Sequence, residues 1–170
     1  MKKLLIVVDY QNDFIDGSLG FKKAFDIKEN ILNILKDHKG DIVFTFDTHD
    51  ENYLKTQEGK NLPICHCVKN TLGWEMPSAF DEYLKKAKKI FYKDTFGSLE
   101  LANFLKDSDY KEIHFCGLVS HICVFFNIIL AMSAKANSNI ILHSNASASF
   151  DANLEKKAYE LLQSFGVIIV

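Results

Sequence analysis

The sequence predicts an α/β fold in three layers, with helices on both faces of a doubly wound, mainly parallel sheet of six strands. Three observations support this prediction. Six short apolar segments rich in β-branched residues recur along the chain, and stretches with helical spacing lie between most of them. The chain has 170 residues and is 48% hydrophobic, enough for one substantial core but not for two ordinary domains. We therefore expect a single domain over residues 1–170.

Each apolar segment is interpreted as a buried strand, because strands of parallel sheets are short and nearly continuous in their hydrophobicity. The alternation of strands with helices favours crossover connections and parallel pairing. The predicted strands are residues 4–8, 42–46, 89–92, 113–116, 140–142 and 167–170.

The predicted helices place apolar residues three and four positions apart. Ile31 and Leu35 share one face of the first helix, Ser78 and Asp81 resemble a capping box before the second, and Gly166 suits the end of the last. These helices are residues 27–35, 79–87, 98–105, 123–136 and 151–165.

Charge and cysteine content limit the classes of partner and compartment. The 22 acidic and 20 basic residues leave a net charge of -2 without a basic stripe, so nucleic acid has little electrostatic support as a partner. The first apolar run stops at Asp9, and none approaches the roughly 20 residues that cross a bilayer. Four cysteines without an export signal indicate a reducing compartment. We expect a cytoplasmic protein that acts on a small molecule, without nucleic acid or membrane partners.

Reactive side chains follow several of the predicted strands. Asp9 follows the first strand, Asp47 and His49 the second and Lys93 the third, while Cys123 begins the helix after the fourth. Taken singly, each has an ordinary explanation as a turn residue, a solvated charge or a small buried apolar group. Ligands of open α/β sheets bind beyond the carboxyl ends of the strands, so their occurrence on one rim indicates an active site.

The types of these residues suit thiol catalysis. A helix amino terminus and the ammonium of Lys93 would lower the pKa of Cys123 and favour the nucleophilic thiolate. Asp9 could take the thiol proton and return it to a departing nitrogen. Backbone amides of the turn from Gly117 to Cys123 could stabilise the oxyanion. These roles predict hydrolysis of a small amide through a thioester.

Four segments carry a resemblance that extends over essentially the whole chain. The chain resembles the isochorismatase-like cysteine hydrolases and, within them, the nicotinamidase-like amidases. This resemblance implies the isochorismatase-like hydrolase fold, the triad Asp9, Lys93 and Cys123, and the backbone amides of Val119 and Cys123 as oxyanion donors. It also implies a cis peptide bond between Leu118 and Val119. The segments are residues 5–14 (LIVVDYQNDF), 45–49 (TFDTH), 93–96 (KDTF) and 116–124 (CGLVSHICV).

The same resemblance implies a divalent metal beside the triad. Asp47 and His49 match the Asp-x-His motif of the family, and His66 matches a later histidine. A second histidine that many members carry soon after the first is missing, and Glu58 is our candidate replacement. Imidazole and oxygen ligands in an open site suit zinc, with manganese or iron as alternatives. The competing interpretation makes Glu58 a solvated loop charge and His66 a hydrogen-bonded histidine.

Three further residues near these motifs are candidates for contact with the substrate. Phe14 and Trp74 suit the walls of a pocket for a planar substrate, and we select Phe14 alone as substrate-binding. Many relatives carry an acidic residue at the position of His121. Its role as a surface histidine, a second base or a substrate contact stays open.

The leading functional hypothesis is hydrolysis of nicotinamide to nicotinate and ammonia. The alternatives are hydrolysis of another small amide or carbamoyl compound, such as ureidoacrylate, maleamate or an N-carbamoyl compound, and a catalytically silent binding protein on the same fold. Isochorismatase activity proper is disfavoured because those enzymes lack the cysteine. The apolar helix over 124–134 and the habit of the family predict a homo-oligomer.

Overall fold

A computed structural model describes all 170 residues and contains one six-stranded sheet. All strand pairs are parallel, in the order β3-β2-β1-β4-β5-β6, so the predicted fold class is confirmed. The strands are β1 (Lys3–Val8), β2 (Asp41–Asp47), β3 (Lys89–Lys93), β4 (Glu112–Leu118), β5 (Asn139–Ala148) and β6 (Ile168–Ile169).

Eight α-helices and three short turns of other helical types connect or flank the strands. The helices are α1 (Asn12–Ile15), α2 (Lys22–Asp26), α3 (Lys28–Asp37), α4 (Gln57–Asn61), α5 (Asp81–Lys86), α6 (Leu99–Lys106), α7 (Phe125–Ala134) and α8 (Ala152–Ser164). The turns are two 3-10 turns (Tyr53–Lys55 and Ser78–Phe80) and one π-helical turn (Ser120–Val124). None of the helices is both long and apolar enough to span a membrane.

The alternation of side chains along the strands produces one hydrophobic core on each face of the sheet. In β1, Leu5 and Val7 face the core covered by α1 to α3, whereas Leu4, Ile6 and Val8 face the core covered by α6 to α8. All five are completely buried, which explains why β1 is an unbroken apolar run.

Two of the differences from the predictions have identifiable reasons. β5 continues to Ala148, six residues beyond the predicted end, because its second half is polar and still pairs with β4 after a register shift. The expected capping box is absent: Ser78 begins a 3-10 turn, and Phe80 precedes α5 without a side-chain cap.

The strand order reverses beside β1, which lies between β2 and β4 at the centre of the sheet. Ligand sites of such sheets lie beyond the carboxyl ends of the strands at this reversal. Gly117, near the end of β4, has a φ of +111°, and a Cβ there would lie 2.1 Å from the carbonyl oxygen of Val8. A glycine at this position therefore lets the end of β4 approach the end of β1 closely.

Candidate active site

The structure brings the three predicted triad residues together at the carboxyl edge of the sheet. Asp9 directly follows β1, Lys93 ends β3, and Cys123 lies in the turn after β4. Lys93 Nζ is 2.6 Å from Asp9 Oδ2 and 3.7 Å from Cys123 Sγ. None of the three side chains is more than 6% exposed. A carboxylate, an ammonium and a thiol thus share one site with little exposure to solvent.

Asp9 is held by its neighbours in an orientation that leaves one oxygen available. Its backbone has a φ of 45°, its amide donates to the carbonyl of Thr45, and the Thr45 hydroxyl donates to Asp9 Oδ1 at 2.6 Å. Oδ2 is 2.6 Å from Lys93 Nζ and has no other hydrogen-bond partner, so it keeps a lone pair that can accept a second proton donor. This oxygen is therefore open to a proton from Cys123.

The electrostatics differ in one respect from the expectation for the thiol. Burial raises the pKa of Cys123 well above its usual value, and the carboxylates of Asp9 and Asp47 add to the effect, although Lys93 opposes it. Burial also raises the pKa of Asp9. The prediction of a lowered thiol pKa is wrong, because it weighed the nearby ammonium without the loss of solvation. The raised pKa values of Cys123 and Asp9 favour a thiol that gives up its proton to Asp9 during the reaction over a preformed thiolate.

The turn that carries Cys123 is compact, and one of its backbone amides has no hydrogen-bond acceptor. The peptide bond between Leu118 and Val119 is cis, as expected. The carbonyl of Val119 accepts from the amides of Ile122 and Val124, at 3.0 and 3.2 Å, while the amide of Val119 donates to no group of the chain. A free amide four residues before the nucleophile is an available donor for a developing oxyanion.

A second cluster of potential ligands lies on the other side of Lys93. Asp47 Oδ2 is 3.0 Å from His49 Nε2 and 3.3 Å from His66 Nε2, and ligand atoms from all three buried residues lie within 4.8 Å of one another. We call this set the Asp47–His49–His66 cluster. Burial acts to raise the pKa of Asp47, but Lys93 and the two histidines lower it below its usual range, so it stays a carboxylate.

The donor chemistry of this cluster fits a divalent metal. His66 Nδ1 is 2.8 Å from the carbonyl of Ile64, an acceptor only, so Nδ1 carries a proton, and Nε2, the nitrogen nearest Asp47, would bind a metal once it has lost its own proton. The loop is placed by pairing of His49 with Val68 and by a bond from the Cys67 amide to an Asp13 carboxylate oxygen.

Glu58 lies beside the cluster, but it is not among the three residues whose ligand atoms lie within 4.8 Å of one another. It is in α4, with Oε1 3.7 Å from His66 Nε2. Burial and the negative charge of Asp47 raise the pKa of Glu58. The interpretation of Glu58 as a solvated loop charge is thus not supported, because Glu58 is in a helix and its side chain is only 19% exposed, while its role as a ligand stays a prediction.

A cavity of about 370 Å³ opens onto Cys123. Its polar wall comes from Asp47, Glu58 and His66, and the rest of its wall is almost entirely apolar. Phe14 lies there as expected, with its ring centroid 5.6 Å from that of His66. The apolar side chains are Phe14, Leu19, Phe21, Leu62, Phe96, Val119, Ile122 and Phe150.

Most of these walls were not identified from the sequence. Phe21 directly precedes α2, and Phe150 follows β5, whose end at Ala148 lies beyond the predicted strand, so only their aromatic type distinguished them in a chain with 14 phenylalanines. Trp74 lies outside the cavity, donating to the Thr48 hydroxyl and stacking on Tyr92. His121 contacts Ser149 and the ring of Phe150, so it borders the cavity only indirectly.

Comparisons with known proteins agree in family and in fold. An uncharacterised isochorismatase family protein of Bacillus subtilis is 30% identical over 175 residues, covering 95% of this chain and 93% of that protein. The nicotinamidase of Saccharomyces cerevisiae is 26% identical over 99% of each chain. The pyrazinamidase of Pyrococcus horikoshii in complex with zinc superposes with a TM-score of 0.83 at 27% identity, over 100% of this chain and 99% of that chain. Because the family model for the isochorismatase domain also matches residues 3–170, the chain belongs to the isochorismatase family.

Proposed function

We propose that this protein is a cysteine amidohydrolase that cleaves the C–N bond of a small neutral amide, with nicotinamide as the leading substrate. The observation that carries the proposal is the convergence of Asp9, Lys93 and Cys123 below an apolar cavity. The nicotinamidase relative supports the same reaction class. A catalytically silent role is disfavoured, because a buried arrangement of carboxylate, lysine and thiol has no evident purpose in a passive binding protein.

The first step is addition of the Cys123 thiol to the amide carbonyl. Asp9 Oδ2 accepts the thiol proton as Sγ attacks the carbonyl carbon, and the carbonyl electron pair moves onto oxygen. The amides of Val119 and Cys123 donate to this oxyanion. Lys93, between Asp9 and Cys123, balances the negative charge that moves from the carboxylate to the sulfur.

The second step releases the amine and regenerates the thiol. Asp9 returns the proton to the amide nitrogen, the C–N bond breaks, and ammonia leaves a thioester on Cys123. Asp9 then takes a proton from a water molecule that attacks the thioester. Breaking of the C–S bond releases the acid, and the proton returns to sulfur.

The Asp47–His49–His66 cluster, with Glu58 at its side, would hold a divalent metal in the polar wall of the cavity. When bound, the metal would supply a Lewis-acidic centre for an electron-pair donor of the substrate or for water. Zinc is our leading candidate, since imidazole and carboxylate ligands suit it and the pyrazinamidase of P. horikoshii was solved in complex with zinc.

The cavity favours a neutral aromatic amide over the carboxylate-bearing alternatives. Ureidoacrylate and maleamate each carry an anionic group, for which the chain itself offers only apolar walls and the acidic side chains of Asp47 and Glu58, so that a bound metal would be its one cationic partner. No lysine lines the cavity, and all 20 basic residues of the chain are lysines, so no arginine is present to pair a carboxylate. A pyridine ring instead fits apolar walls with one polar side.

Ammonia release from a panel of amides tests the proposal. We expect nicotinamide, pyrazinamide or benzamide to exceed maleamate and ureidoacrylate in kcat/KM by at least about 100-fold, because an unpaired buried carboxylate is strongly disfavoured. Cys123→Ala should lower kcat at least about 1,000-fold. Cys65→Ala is the matched control, since Cys65 is exposed and outside the cavity. No release from any amide would contradict the function, and full activity of Cys123→Ala would contradict the covalent mechanism.

A further inference from the structure

We infer that Glu155, on α8, is a positioning residue that holds the nucleophile turn and one wall of the substrate cavity in register. The inference rests on the proposed amidase function for its kinetic consequences. It rests on the contacts of this single buried carboxylate for its physical argument.

Glu155 lies in the first turn of α8 and is unusual among carboxylates in being only 5% exposed. Each of its two oxygens has a distinct partner group. Oε1 accepts from the Ser120 hydroxyl at 2.9 Å and from the Tyr159 hydroxyl at 3.1 Å, whereas Oε2 is 2.5 Å from Lys23 Nζ. Burial raises the pKa of Tyr159 to about 12, so its hydroxyl remains a donor. The carboxylate is thus fully engaged by groups from three parts of the chain.

The Oε1 side reaches the turn that carries the nucleophile. Ser120 directly follows Val119 and begins the π-helical turn that contains Cys123. Its side chain is completely buried, and its oxygen also accepts from the Ser147 hydroxyl at 3.1 Å. Because Ser120 lies between the two proposed oxyanion donors, fixing its side chain fixes the direction of the amides on either side.

The Oε2 side reaches the cavity wall. Lys23 lies in α2, two residues after Phe21, which lines the cavity. The ring of Phe21 contacts that of Phe150 edge-to-face, with centroids 6.0 Å apart, and Phe150 lies just before α8. The ion pair between Lys23 and Glu155 therefore ties the segment of Phe21 to the helix that follows Phe150.

A carboxylate is suited to this double role in a way that other side chains are not. Only a group with two acceptor oxygens and a negative charge can take hydroxyl hydrogens on one side and an ammonium on the other. An ion pair with a half-exposed partner such as Lys23 contributes little net stability, so folding alone gives a weak reason for this residue. Glutamine keeps an acceptor for Ser120 but offers an amide to Lys23, which allows the two sides to be separated by mutation.

Steady-state kinetics of four variants test the inference. Ser120→Ala should lower kcat about tenfold with little change in KM, since sub-ångström displacement of donors slows the chemical step. Lys23→Met should raise KM severalfold and leave kcat within about twofold, because it loosens only the wall. Glu155→Gln should resemble Lys23→Met, whereas Glu155→Ala should show both effects. Glu160→Gln, an exposed change on the same helix, is the matched control and should show neither effect.

Alkylation of Cys123 by iodoacetamide, followed by mass spectrometry, gives a readout that needs no turnover. We expect slower alkylation in Ser120→Ala and Glu155→Ala than in the natural chain, and an unchanged rate in Glu160→Gln. If the natural chain hydrolysed no amide, the proposed function would fail while this comparison still tested the positioning role. Equal alkylation rates in all folded variants, or a Glu155→Ala variant with reduced thermal stability but unchanged kcat and KM, would overturn the inference.

Discussion

Replacing His143 should reduce the loss of stability that the protein suffers in acid. His143 is in β5, with Nε2 2.9 Å from Nδ1 of His114 and the two rings stacked at 5.1 Å. Burial lowers the pKa of His143 from 6.5 to about 4, and the positive charges that His114 and His38 can carry add to this. The folded protein therefore holds His143 neutral at pH values where an unfolded chain binds a proton.

The size and direction of the effect follow from proton linkage. Between pH 6.5 and 4 the unfolded chain binds more protons at this site than the folded chain, so the free energy of unfolding falls as the pH falls. A pKa lowered this far corresponds to about 3 kcal/mol. Because the ring is only partly buried, solvent screening reduces the expected loss to about 1–2 kcal/mol. Above pH 6.5 the contribution of this group is constant.

Urea unfolding of the natural chain and of His143→Gln at pH 7.5 and pH 4.5, with chelator throughout, measures this quantity. The charged and titratable neighbours His38, His114, Glu112 and Lys3 are the same in both proteins. We expect the variant to lose about 1–2 kcal/mol less than the natural chain on acidification. Equal losses in the two proteins would refute the assignment of a lowered pKa to His143.

Three further substitutions have defined outcomes. Gly117→Ala should lower the free energy of unfolding by at least about 3 kcal/mol in urea titrations, from positive φ and overlap with Val8, whereas Gly166→Ala, with open space around it, should lose only about 1 kcal/mol. His66→Ala should lower the bound zinc per chain, measured by elemental analysis, and His121→Ala should not; equal zinc contents would contradict the cluster. Thr45→Val removes a hydrogen bond to the Asp9 carboxylate and should lower kcat/KM about tenfold, while an unchanged value would show that this bond does not orient Asp9.

The parts of the site that the sequence revealed are those tied to strand ends. Asp9, Asp47 and Lys93 each follow or end an apolar run, and parallel strands bring their carboxyl ends to one edge of the sheet. The same logic recovered all six strands, since buried parallel strands are short apolar segments. The apolar runs in the sequence, together with the rule that sites lie at the carboxyl ends of parallel strands, were sufficient to predict these features.

The features that the sequence did not reveal depend on tertiary contacts. The polar second half of β5 pairs through its backbone, which hydrophobic periodicity does not record. The cavity walls at Phe21 and Phe150 come from separate segments whose meeting depends on the packing of α2 against the start of α8. The raised pKa of Cys123 likewise follows from its burial, which neither its residue type nor its spacing expresses.

Asp47 contacts both Lys93 and the two histidines of the cluster, and this limits how the metal preference of the site can change. Its Oδ1 lies 3.4 Å from Lys93 Nζ, while its Oδ2 faces His49 and His66. The side-chain amide of Gln11 clamps its backbone from both sides, with two hydrogen bonds of 2.8 Å. A descendant that adapted to a different metal by changing Asp47 would alter the charge around Lys93 in the same mutation. Evolutionary change in metal preference is therefore expected to enter through His49, His66 or Glu58, the candidate ligands that make no contact with Lys93.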